Sequence, residues 1–406
     1  MNWKIFFAAL VLLQTAFQLL LQAVQYKSAN NPTPENVKDV YDNETYQRWK
    51  QYSADKCRLG FVRTVASCAL TLALLLTGAY AAFAGLFPQT VFMQMLAVVL
   101  FENLAGVVVF TGFEYYNTMV VEEKYGFNRS TVKTFVIDQI RSFIIEMLLS
   151  VVLMGVLAWL HGAMGDWVVL LFTAVLFLLT LAISFLYPIL SRLGNKFVPL
   201  EEGELRDKLM ALLTKHGYQV KAIEVMDASR RTTKLNAYFT GFGKMKTIVL
   251  YDNLLAAMST DEICAVFAHE LGHGLHKDVL KQQVMNLGNL LLMAVLVWSV
   301  VREPAMHQAF GFETVNYGFA FILMGLLLGM VQPLTGMAMS AYSRMAEYRA
   351  DRQAVQEGYG PYLASGLKKL AKENFAHLAP SKLLVVLEYG HPPLSERIAA
   401  LEKAMK

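Results

Sequence analysis

Seven long apolar segments dominate this sequence and limit the folds that the chain can adopt. Each is close to the length, about 20 residues, that an α-helix needs to cross the hydrocarbon core of a bilayer. The segments are Trp3–Val24, Phe61–Leu86, Val91–Phe113, Phe143–Leu160, Trp167–Leu190, Met285–Val301 and Tyr317–Met339. The sixth is short and contains Asn286 and Asn289, so a buried helix is the alternative there. Because 55% of the residues are hydrophobic and only 17% are charged, we expect a membrane protein rather than a soluble globular protein.

The distribution of Lys and Arg predicts how these segments are oriented. Six basic residues lie between the first and second segments and four between the third and fourth, whereas the links after the second and fourth contain none. Since basic loops stay on the cytosolic side, seven crossings would place the N-terminus outside and the C-terminus in the cytosol. The segment 191–283 and the chain after Met339 would then both be cytosolic.

The segment from His269 to His273 reads H-E-x-x-H and predicts a metal site. Ser259–Glu262 is typical of a capping box at a helix N-terminus, and apolar residues follow at helical spacing. On a helix, His269 and His273 lie one turn apart on the same face, so both imidazoles can bind one Zn²⁺. Glu270 lies beside them, where a carboxylate can take a proton from metal-bound water.

Two carboxylates further along the chain are candidates for a third ligand, which a catalytic zinc site requires. The predicted helix Arg344–Glu357 contains Glu347 and Asp351, which lie four residues apart and share one face. One carboxylate could bind the metal while the other orients a ligating imidazole. A solvated charged face is the alternative for the same residues.

The segment before the H-E-x-x-H motif has an α+β pattern. We expect a helix over Glu202–His216, a strand over Lys221–Met226, and two strands, Asn236–Thr240 and Thr247–Tyr251, joined by the turn Gly241–Lys244. A strand at the edge of a sheet beside a zinc helix could hold an extended peptide by backbone hydrogen bonds. An ordinary structural strand is the alternative for Asn236–Thr240.

Charge and cysteine content exclude other classes of protein. The net charge of +4 comes from basic residues spread over membrane-flanking loops, which does not indicate nucleic-acid binding. The three cysteines have no C-x-x-C spacing and suit neither a disulfide framework nor a thiolate metal site.

Over nearly its full length, the chain resembles Ste24-type CAAX prenyl proteases, which are intramembrane zinc metallopeptidases of the M48 class. The residues that carry the resemblance are Asn236–Phe239, Ile248–Asp252, the pair His269–His273 with Glu347-x-x-Ala350-Asp351, His391–Arg397, and Glu122–Asn128 in the membrane domain. His276 departs from the family pattern, and no role is assigned to it.

The resemblance implies a role for each matching residue. These roles are zinc ligation for His269, His273 and Glu347; catalysis for Glu270, His391 and Arg397; orientation of a ligand for Asp351; and substrate binding for Asn236, Ala237 and Tyr238. His391 is expected to stabilise the oxyanion, and Arg397 to support the carboxylates.

Three polar residues, Glu102, Asn103 and Glu146, fall inside the apolar segments. Charged groups are unfavourable in hydrocarbon, so these side chains should face an interior or each other. The resemblance implies seven helices around a large water-filled chamber, which would accommodate them. A paired helix–helix contact is the alternative.

We therefore expect a mainly α-helical protein with seven transmembrane helices and an α+β, zincin-like metalloprotease domain on the cytosolic side. Residues 1–190 would form an N-terminal membrane domain with five helices. Residues 191–406 would form the metallopeptidase domain with two further helices. The expected function is hydrolysis of peptide bonds at the membrane by Glu-assisted attack of zinc-bound water, with one Zn²⁺ per chain and C-terminal CAAX-type, prenylated substrates.

Two other functions are compatible with the sequence. One is a membrane-protein quality-control protease of the heat-shock type, and the other is a non-catalytic membrane chaperone or translocon-clearing factor. The presence of Glu270 disfavours the second, because a structural zinc site needs no base. The expected partners are a peptide or protein substrate and the lipid bilayer, without nucleic acid. The compact length and the lack of a dilysine signal around Ala404 favour the bacterial inner membrane over the endoplasmic reticulum.

Overall fold

The computed structural model describes residues 2–190, 192, 194–240 and 245–406, which are mainly helical. The helices of the first half are α1 Trp3–Ser28, α2 Asn43–Leu76, α3 Ala79–Ala84, α4 Val91–Tyr115, α5 Val132–Met164 and α6 Val168–Leu190. The strands of the second half are β1 Phe197–Pro199, β2 Gln219–Met226, β3 Ala237–Thr240 and β4 Met245–Tyr251. Its helices are α7 Glu204–Lys215, α8 Asp252–Ala257, α9 Thr260–Leu275, α10 Asp278–Val301, α11 Pro304–Ala309, α12 Tyr317–Gln356, α13 Gly360–Glu373, α14 Lys382–Leu387 and α15 Leu394–Ala404.

Six helices in the described ranges are long and apolar enough to cross a membrane. They are Trp3–Ser28, Asn43–Leu76, Val91–Glu122, Val132–Leu160, Asp278–Val301 and Tyr317–Gln356. The predicted segment Trp167–Leu190 is helical as α6, but its described apolar stretch, Val168–Ile183, is shorter. The prediction of a mainly helical, multi-pass membrane protein is confirmed, whereas the number of seven crossings stays a prediction.

The predicted end of the second apolar segment is wrong. The segment was expected to continue to Leu86, but α2 ends at Leu76 and a separate short helix, α3, follows. Gly78 separates the two helices with φ 72°, a left-handed conformation that glycine adopts without steric cost. The helix therefore ends before Gly78, and α3 begins after it.

The expected separate helix Arg344–Glu357 is instead the end of α12, which also contains the seventh apolar segment. The described helix has 40 residues, so it is about 60 Å long at 1.5 Å per residue. No Gly or Pro interrupts the chain between Met339 and Arg344, and the helix continues through this stretch. Both candidate carboxylates therefore lie on the same helix as the seventh apolar segment.

A four-stranded sheet lies beside α9 in the described part of the chain. Its strand order is β1-β2-β4-β3, with β2 parallel to β4 and the other neighbours antiparallel. The predicted strands match β2, β3 and β4, whereas the short strand β1 and the helix α8 were not predicted. The expected turn Gly241–Lys244 lies outside the described residues. β3 forms one edge of the sheet, as the peptide-binding hypothesis requires.

α9 packs against this sheet and against α7 through a shared apolar core. Leu209 and Leu213 of α7, Ile248 and Leu250 of β4, and Leu271 of α9 are almost completely buried in one cluster. Burying a Leu or Ile side chain contributes about 1.5–3 kcal/mol. This packing turns the apolar face of α9 to the sheet and leaves the opposite face for its two histidines.

The polar residues within the apolar segments have different surroundings. Tyr80 of α3 donates a hydrogen bond to Glu102 of α4, and the Nδ2 of Asn103 donates to the carbonyl of Val99 at 2.8 Å. Glu146 is exposed on α5. For Glu102 the structure thus supports the alternative of a helix–helix contact.

Candidate active site

α9 begins with the predicted capping box, which is confirmed. The Glu262 N–H donates to the Ser259 Oγ at 3.3 Å, and the Ser259 N–H donates to the Glu262 carboxylate at 2.8 Å. These bonds satisfy backbone donors that a helix N-terminus would otherwise leave free. The N-terminus of the helix is therefore fixed nearly three turns before His269.

Three ligand atoms converge where α9 meets α12. The Nε2 atoms of His269 and His273 are 3.2 Å apart. The Glu347 carboxylate approaches both rings, with Oε2 at 3.5 Å from His269 Nε2 and Oε1 at 3.4 Å from His273 Nε2. The three residues form the only group of at least three His, Cys, Asp or Glu able to hold a metal ion among the described residues, with ligand atoms within 4.8 Å of one another.

These donors fit a metal ion. Glu347 is 3% exposed, and its Oε2 lies 3.5 Å from His269 Nε2 and 3.1 Å from Arg397 Nη1. The carboxylate therefore has one oxygen facing each imidazole. Two imidazoles and one carboxylate are a donor set of catalytic zinc sites.

Gly272 allows α9 and α12 to approach closely enough for this convergence. A Cβ atom at position 272 would lie 2.8 Å from the Cα of Ala350 and 3.0 Å from the Cβ of Gln353. Since Ala350 is completely buried, its backbone has little room to move. The glycine of the H-E-x-x-H motif thus serves packing, while its histidines supply two of the three candidate ligand atoms.

Asp351 and Arg397 contact the ligands from the side away from the metal position. The Asp351 Oδ1 lies 2.8 Å from His269 Nδ1. Arg397 donates to both oxygens of Asp351, from Nε at 2.9 Å and from Nη2 at 2.6 Å, and its Nη1 lies 3.1 Å from Glu347. The second carboxylate of the helical pair therefore orients an imidazole while the first faces the metal position.

Asp278 orients the other imidazole, and the sequence analysis missed it. Its Oδ2 lies 3.1 Å from His273 Nδ1, while its Oδ1 accepts hydrogen bonds from Tyr342 at 2.8 Å and Arg349 at 2.7 Å. Burial lowers the pKa of His273, but hydrogen bonds to Glu347 and Asp278 outweigh it, so the pKa rises to about 9.

His391 lies next to the ligand carboxylate. Its Nδ1 is 2.9 Å from the Oε1 of Glu347, although 73% of its side chain is exposed. Arg344 fastens the preceding segment by donating to the carbonyls of Val385 at 2.7 Å and Tyr389 at 2.8 Å. The structure thus brings an accessible imidazole to the mouth of the site.

The edge strand β3 lies beside the catalytic face of α9. Ala237 and Tyr238 line a small cavity together with Phe267 and Glu270. Asn236, immediately before the strand, is exposed, and its Oδ1 accepts a hydrogen bond from the Ala237 N–H at 2.9 Å. Glu270 therefore lies where α9 packs next to the edge strand β3.

Comparisons with known proteins identify the family. Residues 22–192 match the N-terminal region of CAAX prenyl proteases, described as five membrane helices, and residues 199–405 match peptidase family M48. The chain is 31% identical to the CAAX prenyl protease 1 homolog of Oryza sativa subsp. japonica, over 97% of this chain and 96% of the relative. It is 28% identical to the homolog of Homo sapiens, over 94% of this chain and 90% of the relative.

A solved structure has the same fold. The crystal structure of S. mikatae Ste24p matches with a TM-score of 0.93 and 28% sequence identity, covering 99% of each chain. Both halves of the chain and their arrangement agree with this relative. The chain therefore belongs to the CAAX prenyl protease 1 (Ste24) family of M48 metallopeptidases.

Proposed function

We propose that this membrane metalloendopeptidase uses one zinc ion to hydrolyse peptide bonds near the C-terminus of CAAX-type, prenylated substrates. The observation that carries the proposal is the convergence of His269, His273 and Glu347 beside Glu270, on a helix that packs next to the edge strand β3. The substrate class is taken from the names of the relatives, which are CAAX prenyl proteases.

The residues around the ligands have distinct tasks in hydrolysis. A zinc ion held by His269, His273 and Glu347 would polarise the scissile carbonyl and lower the pKa of a bound water molecule. Glu270 accepts the proton of the attacking water and delivers it to the leaving amine. Asp351 and Asp278 hold the two imidazoles through their Nδ1 atoms, and Arg397 holds Glu347 and Asp351 in place.

Substrate binding falls to β3 and to His391. The outer side of β3 has no neighbouring strand among the described residues, so a peptide can pair with it by backbone hydrogen bonds. Asn236, Ala237 and Tyr238 border the peptide on the side of Glu270. His391 stabilises the oxyanion that develops as the carbonyl is attacked.

The proposed arrangement in the membrane has seven crossings, with residues 1–190 as a membrane domain of five helices and residues 191–406 as the metallopeptidase domain. The N-terminus lies outside and the C-terminus in the cytosol, as the basic loops indicate. The relatives named above come from eukaryotes and lend no support to the bacterial inner membrane. Cell fractionation, comparing inner-membrane with endoplasmic-reticulum markers, decides between the two locations.

The decisive experiment compares the purified wild-type protein with Glu270→Gln on a prenylated CAAX reporter peptide. We expect the variant to retain zinc and lose turnover by about a thousandfold, because an amide cannot accept the proton of water. Glu313→Gln, which changes an exposed carboxylate before α12, is the matched control and should cleave normally.

The other functions predict different results. A quality-control protease would cleave misfolded membrane proteins and leave the CAAX peptide intact. A non-catalytic factor would bind zinc and cleave neither substrate. Undiminished turnover by Glu270→Gln would exclude the proposed base.

A further inference from the structure

The segment Glu122–Asn128 of the membrane domain folds into a tight turn that the proposed mechanism does not use. The Phe127 N–H donates to the Glu122 carbonyl at 2.8 Å, and Gly126 adopts φ 80° between them. Asn128 is 9% exposed and donates from Nδ2 to the Glu123 carboxylate at 3.1 Å. Because these hydrogen bonds lie within the turn itself, the turn can hold a neighbouring segment in a fixed position.

This turn forms backbone hydrogen bonds with the metallopeptidase domain. Asn128 and Thr232 form an isolated antiparallel bridge. The Arg129 N–H donates to the Arg231 carbonyl at 3.0 Å, and the Thr233 N–H donates to the Phe127 carbonyl at 3.3 Å. The paired segment 231–233 ends three residues before Asn236, where the proposed substrate strand begins.

An ion pair reinforces the same junction. The Lys234 Nζ lies 3.3 Å from the Glu122 Oε2, in a pair whose side chains are 36% and 14% exposed, respectively. The ammonium group also lies 4.9 Å from the centre of the Phe127 ring and 5.7 Å from that of Tyr52. Glu122 in turn accepts hydrogen bonds from Tyr52 at 2.8 Å and Lys56 at 3.0 Å, so its carboxylate is fixed on α2.

The opposite side of this segment is fastened to the metallopeptidase domain itself. Asn374 pairs with both backbone groups of Leu235, accepting from its N–H at 2.9 Å and donating to its carbonyl at 3.2 Å. Asn253 donates to the carbonyl of Lys234 at 2.8 Å. Residues 231–235 are therefore held from both domains immediately before β3.

We infer that Glu122 and Lys234 are positioning residues. Their ion pair links the membrane domain to the segment before β3 and so fixes the position of the substrate strand relative to Glu270. Lys234 is two residues before Asn236, so a shift of its backbone moves the start of β3. The inference rests on the proposed role of β3 in holding the peptide. Since neither residue contacts the metal ligands, their loss affects peptide binding rather than the chemical step.

The test is steady-state kinetics on the prenylated CAAX peptide with full-length Lys234→Met, Glu122→Gln and the double variant. We expect KM to rise about tenfold in Lys234→Met, with kcat within about twofold of wild type and zinc content unchanged. Lys234→Arg should restore most of the affinity. The double variant should be no worse than the more affected single variant, because both changes remove the same contact.

Lys124→Met is the matched control. It removes a lysine from the same turn, but this lysine pairs with Asp55 at 2.7 Å and not with the segment before β3. Its KM should equal that of the wild type. An equal rise in KM for Lys124→Met, or a normal KM for Lys234→Met, overturns the inference.

Amide hydrogen exchange tests the inference independently of the substrate. In Lys234→Met, exchange at residues 235–238 should accelerate about tenfold, while exchange in α9 stays unchanged. Unchanged exchange before β3 overturns the positioning role. If exchange accelerates but wild-type protein does not cleave the CAAX peptide, the proposed substrate fails while the coupling between the domains stands.

Discussion

Glu347 and Asp351 lie on one helical face, but their carboxylates approach different atoms of the imidazoles. Glu347 faces the Nε2 atoms of both histidines, whereas Asp351 meets the Nδ1 atom of His269 and is held by Arg397. An imidazole whose Nδ1 donates to a carboxylate is fixed with Nε2 free for a metal. Their positions along α12 thus suit Glu347 to bind a metal and Asp351 to orient the His269 ring.

The metal ligands can be distinguished from the orienting residues by metal analysis. His269→Ala, His273→Ala and Glu347→Ala should each lose most of the zinc, because three ligands are needed. Asp351→Asn and Asp278→Asn should retain zinc with affinity lowered about 10- to 100-fold, measured by competition with a chelator. His276→Ala is the control and should bind zinc normally. Full zinc in Glu347→Ala would move the third ligand elsewhere.

His391 should act on turnover more than on binding. The His391→Ala variant is expected to lose kcat about a hundredfold while KM stays within a few-fold and zinc is retained, because the lost interaction forms with the developing oxyanion. His377→Ala is the control, since this ring packs on Trp49 away from the site. A defect confined to KM would make His391 a substrate contact, and loss of zinc would make it a support of Glu347.

The contact between α9 and α12 depends on Gly272. In an ordinary helix, Gly→Ala stabilises by about 1 kcal/mol. Here we expect the opposite sign for Gly272→Ala, because the added methyl group would meet the backbone of Ala350 and push α12 away. Thermal unfolding should occur at a lower temperature, and zinc affinity should fall at least about tenfold.

Gly288→Ala is the matched control for this substitution. Gly288 lies within α10, and a Cβ atom there has no neighbour within 4 Å among the described residues. The control should therefore bind zinc like the wild type. Equal zinc affinity in Gly272→Ala and wild type would show that the helices can separate without moving Glu347.

Elements with local determinants were predictable from the sequence. The capping box is formed by residues 259–262 alone, so four consecutive residues are enough to predict it. Short apolar patterns predicted α7 and β2. The choice between Glu347 and Asp351 was not predictable from spacing, because it depends on where α12 crosses α9. That crossing is set by the contact of Gly272 with Ala350, which lie far apart in the sequence.

Asp278 was not predictable for a different reason. Its contact with His273 requires the chain to turn at Lys277, which adopts φ 55°. Lysine rarely adopts this left-handed conformation, so no sequence signal marked the turn. The sequence also did not predict that α12 is continuous. Its apolar pattern ends near Met339, whereas the helix continues to Gln356.

The two halves of the site can meet only if both lie on the same side of the membrane. A reporter fused after Lys406 and one inserted near Gly203 should both report the cytosol, and one near Met164 should report the outside, because basic loops are retained in the cytosol. Opposite sides for the first two reporters would contradict the proposed seven crossings. A reporter at the exposed Glu313 serves as a second outside control.

The order of the site residues along the chain has a consequence for biosynthesis. His269 and His273 precede α10 and α12, Glu347 and Asp351 lie at the end of α12, and Arg397 follows later. A chain still attached to the ribosome therefore presents the histidines before their partners exist. On the proposed roles of Glu347 and Arg397, hydrolysis can begin only after α12 has formed and residue 397 has been synthesised. Neighbouring nascent proteins should therefore not encounter an active, half-finished protease.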